Sequence, residues 1–174
     1  MPYLELACRL VLVTVFATAV AGKISSRAAW TAFVDSLDRM DAVPVRLLHP
    51  AAWASLAAEI AISLLLVVPG RLFAVAGFVI AIGLLGSFTA AIASAIRRGK
   101  NAPCRCFGAS VTPLGWSHVG RNSGLMVLAA VGLTAALRGG PIDIAPAVVA
   151  AATGVVVGLL VTRLDDLLAL FRTP

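Results

Sequence analysis

Residues 51–96 read AAWASLAAEIAISLLLVVPGRLFAVAGFVIAIGLLGSFTAAIASAI. Two apolar runs, about 51–68 and about 72–96, are separated only by Pro69, Gly70 and Arg71. Each is long enough to cross a hydrocarbon core about 30 Å thick, which takes roughly 18 or more consecutive apolar residues as a helix. A Pro-Gly break with one arginine after it folds two such helices into a tight antiparallel hairpin. The one charge within these runs is Glu59.

Outward from the hairpin the same pattern recurs, giving further spans at about 4–21, 118–137 and 145–161. The 174 residues are 60% hydrophobic and 13% charged, with a mean hydropathy of +1.00. Soluble domains run at about 45–50% apolar and about 25% charged. Soluble enzymes, disordered tails and secreted disulfide scaffolds are thereby excluded. The fold class expected is all-α, an integral membrane helical bundle forming a single domain over residues 1–174. The tail Ala17-Thr18-Ala19 of the first span resembles a signal-peptide cleavage site, but Met-Pro-Tyr is too short a lead and Glu5 and Arg9 spoil a basic n-region, so the span reads as retained. Glu5 and Arg9, four apart, can pair. Lys23, at the end of the span, is expected to snorkel to the headgroups.

Between the first two spans, Trp30, Phe33, Val34 and Leu37 recur at helical spacing opposite Arg27, Asp35 and Asp38. This predicts an amphipathic helix at about 26–40 lying on the membrane surface. Small residues dominate the spans, which lets membrane helices approach closely. Gly154-x-x-x-Gly158 is expected to serve packing within the bundle, with a homodimer face as the alternative use.

The net charge of +6 comes from 14 Lys and Arg against 8 Asp and Glu. These bases sit in loops rather than in one stripe with interleaved aromatics, which argues against nucleic acid and for membrane lipids as partners. Five spans place Lys23, Arg27, Arg39, Arg46, Arg97, Arg98, Lys100, Arg105, Arg121, Arg163 and Arg172 on one side, and only Arg71 and Arg138 in loops on the other. The positive-inside rule then puts the first group in the cytoplasm of a multi-pass inner (plasma) membrane protein.

That side also carries the densest chemistry, the loop 97–121. Cys104 and Cys106 flank Arg105, close enough in sequence to bond to each other, and a small strained ring of this kind suits exchange more than scaffolding. Arg105, with Arg97, Arg98 and Lys100 upstream, favours the reactive thiolate. The competing readings are two inert loop cysteines, or half of a zinc site, which needs about two further ligands where only His118 is near. The site is therefore read without a metal. Cys8 reads as a small apolar residue in a helix. His118 is either a proton shuttle or an interfacial anchor beside Trp116. Arg121 and Asn122 offer donors to loop carbonyls or to an anionic group. Glu59, midway along the second span, should face the bundle interior with a partner, Lys23 or Arg121, as a proton-relaying carboxyl or as a structural interhelical bond.

The block Cys104-Arg105-Cys106-Phe107-Gly108, then Pro113-Leu114-Gly115-Trp116 and Arg121-Asn122 opening a helix, resembles the methylamine-utilisation protein MauE family, within the wider DoxX-like group of membrane bundles. Gly22-Lys23, Phe33 and Glu59 are similar to that family too, and the likeness covers about residues 4–137. Arg105 stands where the family often has a smaller residue. The resemblance implies a DoxX-like four-helix core plus a fifth span. It also implies thiol–disulfide redox maturation of an exported protein, as for the methylamine dehydrogenase small subunit, with a thioredoxin-like partner or disulfide-containing client. Cys104 and Cys106 would be catalytic, supported by Arg105, His118, Arg121, Asn122, Glu59 and Lys23. A quinone is the cofactor that such relatives suggest as an electron sink. An exported client favours an oxidising exterior for the loop, against the charge count. The rival readings are a proton-coupled small-solute transporter using Glu59 and a structural assembly factor.

Overall fold

In lipid every backbone polar group must be satisfied within its own helix or by a neighbour, and the sequence meets this with long uninterrupted helices. The computed structural model describes residues 1–41, 43–99, 115–141 and 143–164. These form α1 (Pro2–Ile24), α2 (Arg27–Arg39), α3 (Leu48–Val67), α4 (Arg71–Arg97), α5 (Trp116–Arg138) and α6 (Ile144–Thr162), with a single 3-10 turn, Val45–Leu47, leading into α3. Five helical segments, all but α2, are long and apolar enough to cross a membrane. The protein is an all-α membrane helical bundle, and no strand occurs among the described residues.

Local signals set the ends. Proline at the start of α1 loses no hydrogen bond there. Ser26 caps α2 by accepting from the Ala29 amide at 3.0 Å. The turn between α3 and α4 passes through Gly70 at φ 131°, a backbone region that side-chain-bearing residues avoid.

Each spanning helix buries one stripe. In α1 it is Cys8, Val11, Leu12, Val15, Phe16, Ala19 and Lys23, and in α5 it is His118, Asn122, Leu125, Ala129 and Gly132. The spacing of three and four keeps each set on one face. Helix α1 is the central pillar and packs against α2, α3, α5 and α6, while α4 lies against α3 and α5. Successive spans alternate in direction. One end of the bundle, here the loop end, therefore gathers the last turn of α1, all of α2, the starts of α3 and α5, and the ends of α4 and α6.

The opposite, hairpin end is tied by polar contacts. Arg9 pairs with Glu5 at 3.4 Å and donates to the Gly70 carbonyl at 3.2 Å. The Met1 amine donates to the Gly139 carbonyl at 3.3 Å, and Tyr3 donates to Asp143 Oδ2 at 3.3 Å.

Helix α6 buries only Gly154 and Gly158. A Cβ on Gly154 would lie 2.6 Å from the Ala7 carbonyl oxygen, and one on Gly158 would lie 2.7 Å from Thr14 Cβ. The Gly-x-x-x-Gly pair is thus the seat of α1 in the same chain. A second close approach lies at Gly132, where a Cβ would meet the Phe78 ring at 2.5 Å and Cys8 Cβ at 2.9 Å. Phe78 is fully buried and cannot yield. Gly132→Ala should therefore destabilise by about 1–3 kcal/mol. Gly83→Ala, with nothing within 4 Å, should leave stability unchanged or raise it by up to about 1 kcal/mol. Melting in detergent compares the two, and equal effects would contradict this packing.

Helix α2 is the amphipathic helix expected after the first span, and its apolar face is met by protein. Phe33, Val34, Ser36 and Leu37 are buried, and the helix packs on α1 and α3, so its apolar face roofs the bundle. An apolar stripe is satisfied equally by lipid or by protein, and here it is met by α1 and α3. The far end of α2 is held by Arg98, whose Nη2 donates to the carbonyls of Met40 at 2.9 Å and Asp41 at 3.1 Å.

Candidate functional site

Beneath the roof helix lies a buried ion pair. Lys23 Nζ donates to Glu59 Oε1 at 2.6 Å, with the two side chains 2% and 0% exposed. The geometry follows from helix direction. Side chains lean toward the N-terminus of their own helix. In the antiparallel pair α1 and α3, Lys23 therefore leans back into the bundle while Glu59 leans toward the loop end, and the two meet. The expected snorkelling of Lys23 to the headgroups does not occur, because an inward carboxylate satisfies the ammonium. Of the two partners considered for Glu59, the structure selects Lys23. The ammonium also sits 4.7 Å from the centroid of the Phe33 ring, so α2 covers the pair with an aromatic face that attracts a cation. Charge-assisted bonds of this kind are short and strong, and in low dielectric each partner depends on the other.

The first turns of α5 form a second polar group. His118 and Asn122 are both buried and lie on one face, four apart. Arg121 Nη2 lies 3.4 Å from His118 Nδ1. Trp116 is 59% exposed, so of the two residues it is the tryptophan that faces outward. Two residues along a helix are about 200° apart, which turns His118 inward; the anchor reading of His118 is corrected accordingly. Both amide atoms of Asn122 are buried without a hydrogen-bond partner among the described residues, as are Glu59 Oε2, Ser55 Oγ and Ser36 Oγ. Among the described residues the buried polar or charged side chains are Lys23, Ser36, Ser55, Glu59, His118 and Asn122; all lie toward the loop end except Glu59, which sits near the middle of α3 and leans that way.

Cys104, Arg105 and Cys106 lie outside the described residues. Their flanks are described: α4 ends at Arg97 and α5 begins at Trp116, so the cysteine segment leaves from and returns to the loop end. Arg98, one of the cations upstream of the cysteines, donates to the carbonyls at the end of α2 and keeps its charge there. Cys8 is a buried free thiol in the hairpin-end half of α1.

The arrangement can hold a fixed positive charge, a carboxylate with one oxygen to spare and an amide with unused donor and acceptor capacity, all buried within the protein. Ser55, Ser36 and the Arg98 brace were not singled out from the sequence. The signal for Ser55 was its position four before Glu59, which puts both on one helical face. Ser36 stood between the apolar Phe33 and Leu37 of an amphipathic pattern.

No curated protein and no solved structure matches the chain. Residues 1–135, from α1 through most of α5 and including the cysteine block and the polar loop end, match the family described as methylamine utilisation protein MauE. The chain is thus a multi-pass membrane protein belonging to the MauE family.

Proposed function

We propose that the chain exchanges disulfides through Cys104 and Cys106 in the maturation of an exported protein, as implied for the methylamine dehydrogenase small subunit, from the inner membrane. The observation that carries the reading is the Cys104-Arg105-Cys106 block, in a segment that begins and ends over the buried polar half of the bundle. In the exchange, one thiolate attacks the disulfide of a thioredoxin-like partner and forms a mixed disulfide, releasing one partner thiol. The second cysteine displaces the other partner thiol and closes the Cys104–Cys106 bond, so two electrons and two protons pass to the partner. The oxidised pair then accepts two electrons and two protons from a client dithiol, leaving the client disulfide-bonded. Arg105 favours the attacking thiolate, and His118, Arg121 and Asn122, in the first turns of α5, are the polar residues that follow the segment in sequence.

Alkylation followed by mass measurement tests this. The oxidised native protein should gain no adduct at residues 104 and 106, and mild reduction should add two, with buried Cys8 protected. Absence of any reversible change at the two positions would overturn the proposal. A transporter centred on Glu59 predicts the opposite mutational pattern, with activity lost in Glu59→Gln and kept when both cysteines become serine.

Sidedness is read with an impermeant thiol reagent. The loop charge asymmetry predicts protection in intact cells and labelling after permeabilisation. Labelling of intact cells would move the exchange to the exterior.

A further inference from the structure

A cleft of about 400 Å³ opens between the end of α1, the start of α2 and the second turn of α3, lined in part by Lys23, Arg27, Trp30, Thr31, Trp53 and Leu56. Its volume falls in the range of about 300–1,000 Å³ typical of small-molecule sites. The rings of Trp30 and Trp53 form one wall, their centroids 4.5 Å apart and tilted by 42°. Trp53 is 59% exposed although it lies on a membrane-spanning helix, so the wall faces whatever surrounds the bundle.

Two features define the occupant. Among the described residues no acidic side chain lines the cleft, and α2 has none in its first turn, so Arg27 stands at the rim without an acidic neighbour on the wall. The whole end is basic, with Arg39, Arg46, Arg97, Arg98, Arg121 and Arg163 placed there, whereas Asp35, Asp38 and Asp41 lie further along or beyond α2. All three tryptophans of the chain, Trp30, Trp53 and Trp116, also sit at this end, and such rings settle at the headgroup level of a bilayer. An occupant at that depth must be anionic at one end and apolar along the other.

We propose that this cleft binds one anionic glycerophospholipid, its phosphate against Arg27 and an acyl chain along Trp30, Trp53 and Leu56. Lys23 forms the floor, its charge already met by Glu59.

The test uses the full chain carrying Trp116→Phe, reconstituted in phosphatidylcholine vesicles, so that Trp30 and Trp53 report. Phosphatidylglycerol with brominated acyl chains should quench their fluorescence with about five-fold higher apparent affinity than equally brominated phosphatidylcholine, the scale of one basic side chain near an anionic surface. Arg27→Gln should abolish that preference, while Arg46→Gln, which removes an equal charge from the same end, should preserve it. Millimolar inorganic phosphate should not compete. Equal quenching by the two lipids, a preference that survives Arg27→Gln, displacement by free phosphate, or displacement by a neutral prenylated quinone would each overturn the proposal. Cysteine alkylation is independent of every one of these readouts, so failure here leaves the exchange reading untouched.

Discussion

Lys23→Met is expected to lower the unfolding free energy of the detergent-solubilised protein by about 3–5 kcal/mol, because it strands the Glu59 carboxylate in a site with no exposure. Glu59→Leu should cost a similar amount by stranding the ammonium. The informative variant is the double one. With Lys23→Met and Glu59→Leu together, neither charge is buried and apolar side chains of similar volume replace the pair, so stability should return to within about 1 kcal/mol of the parent or exceed it. Removing the Phe33 ring in the Lys23→Met background should cost only its packing, since no cation then lies over it. Denaturant unfolding of the four proteins gives the coupling energy directly. Single variants that each cost less than about 1 kcal/mol would show that the two charges are solvated and that the pair is not sealed beneath α2.

Gly154→Leu should be at least as damaging to the α1–α6 contact. The atom that a new Cβ would strike is the Ala7 carbonyl oxygen, at 2.6 Å. A backbone atom inside a helix cannot rotate away as a side chain can. The helices must separate, and with them the surface that buries Gly158. A loss of about 3 kcal/mol or more is expected, at the upper end for overpacking. A spin label at Val156 should gain mobility while the Lys23–Glu59 coupling is retained, because α6 takes no part in that pair. The comparison variant is Gly124→Leu, where nothing lies within 4 Å and little change is expected. Retained stability in Gly154→Leu would mean that α6 seats on α1 in some other way.

The spans and the α3–α4 hairpin were legible because length and apolarity are themselves the physical requirement for crossing a bilayer. Glu59 was legible as an inward group for the same reason, since a carboxylate at that depth has few alternatives. Its partner was not. Choosing between Lys23 and Arg121 needed the lean of side chains on two antiparallel helices, which no linear spacing displays. Sequence proximity to Trp116 misled the reading of His118, although about 200° of helical rotation separates them. The stripe of α2 told that one face was apolar but not whether lipid or protein met it. Gly154 and Gly158 announced a close helix contact, yet composition does not say which helix arrives. Of the proposed site, the supporting residues on α1, α3 and α5 fall into two groups at one end, and the cysteine block rests on the sequence.

The pairing of α1 with α6 also bears on how the bundle is made. Tyr3 and Asp143, which meet at the hairpin end, are 140 positions apart. At a synthesis rate of about 5–20 residues per second, α6 trails α1 by roughly 7–28 s. Throughout that interval the flank of α1 that will receive Gly154 and Gly158 must be sheltered by lipid or by an insertion factor. Final compaction thus waits on the translocon's release of a helix made long after its seat.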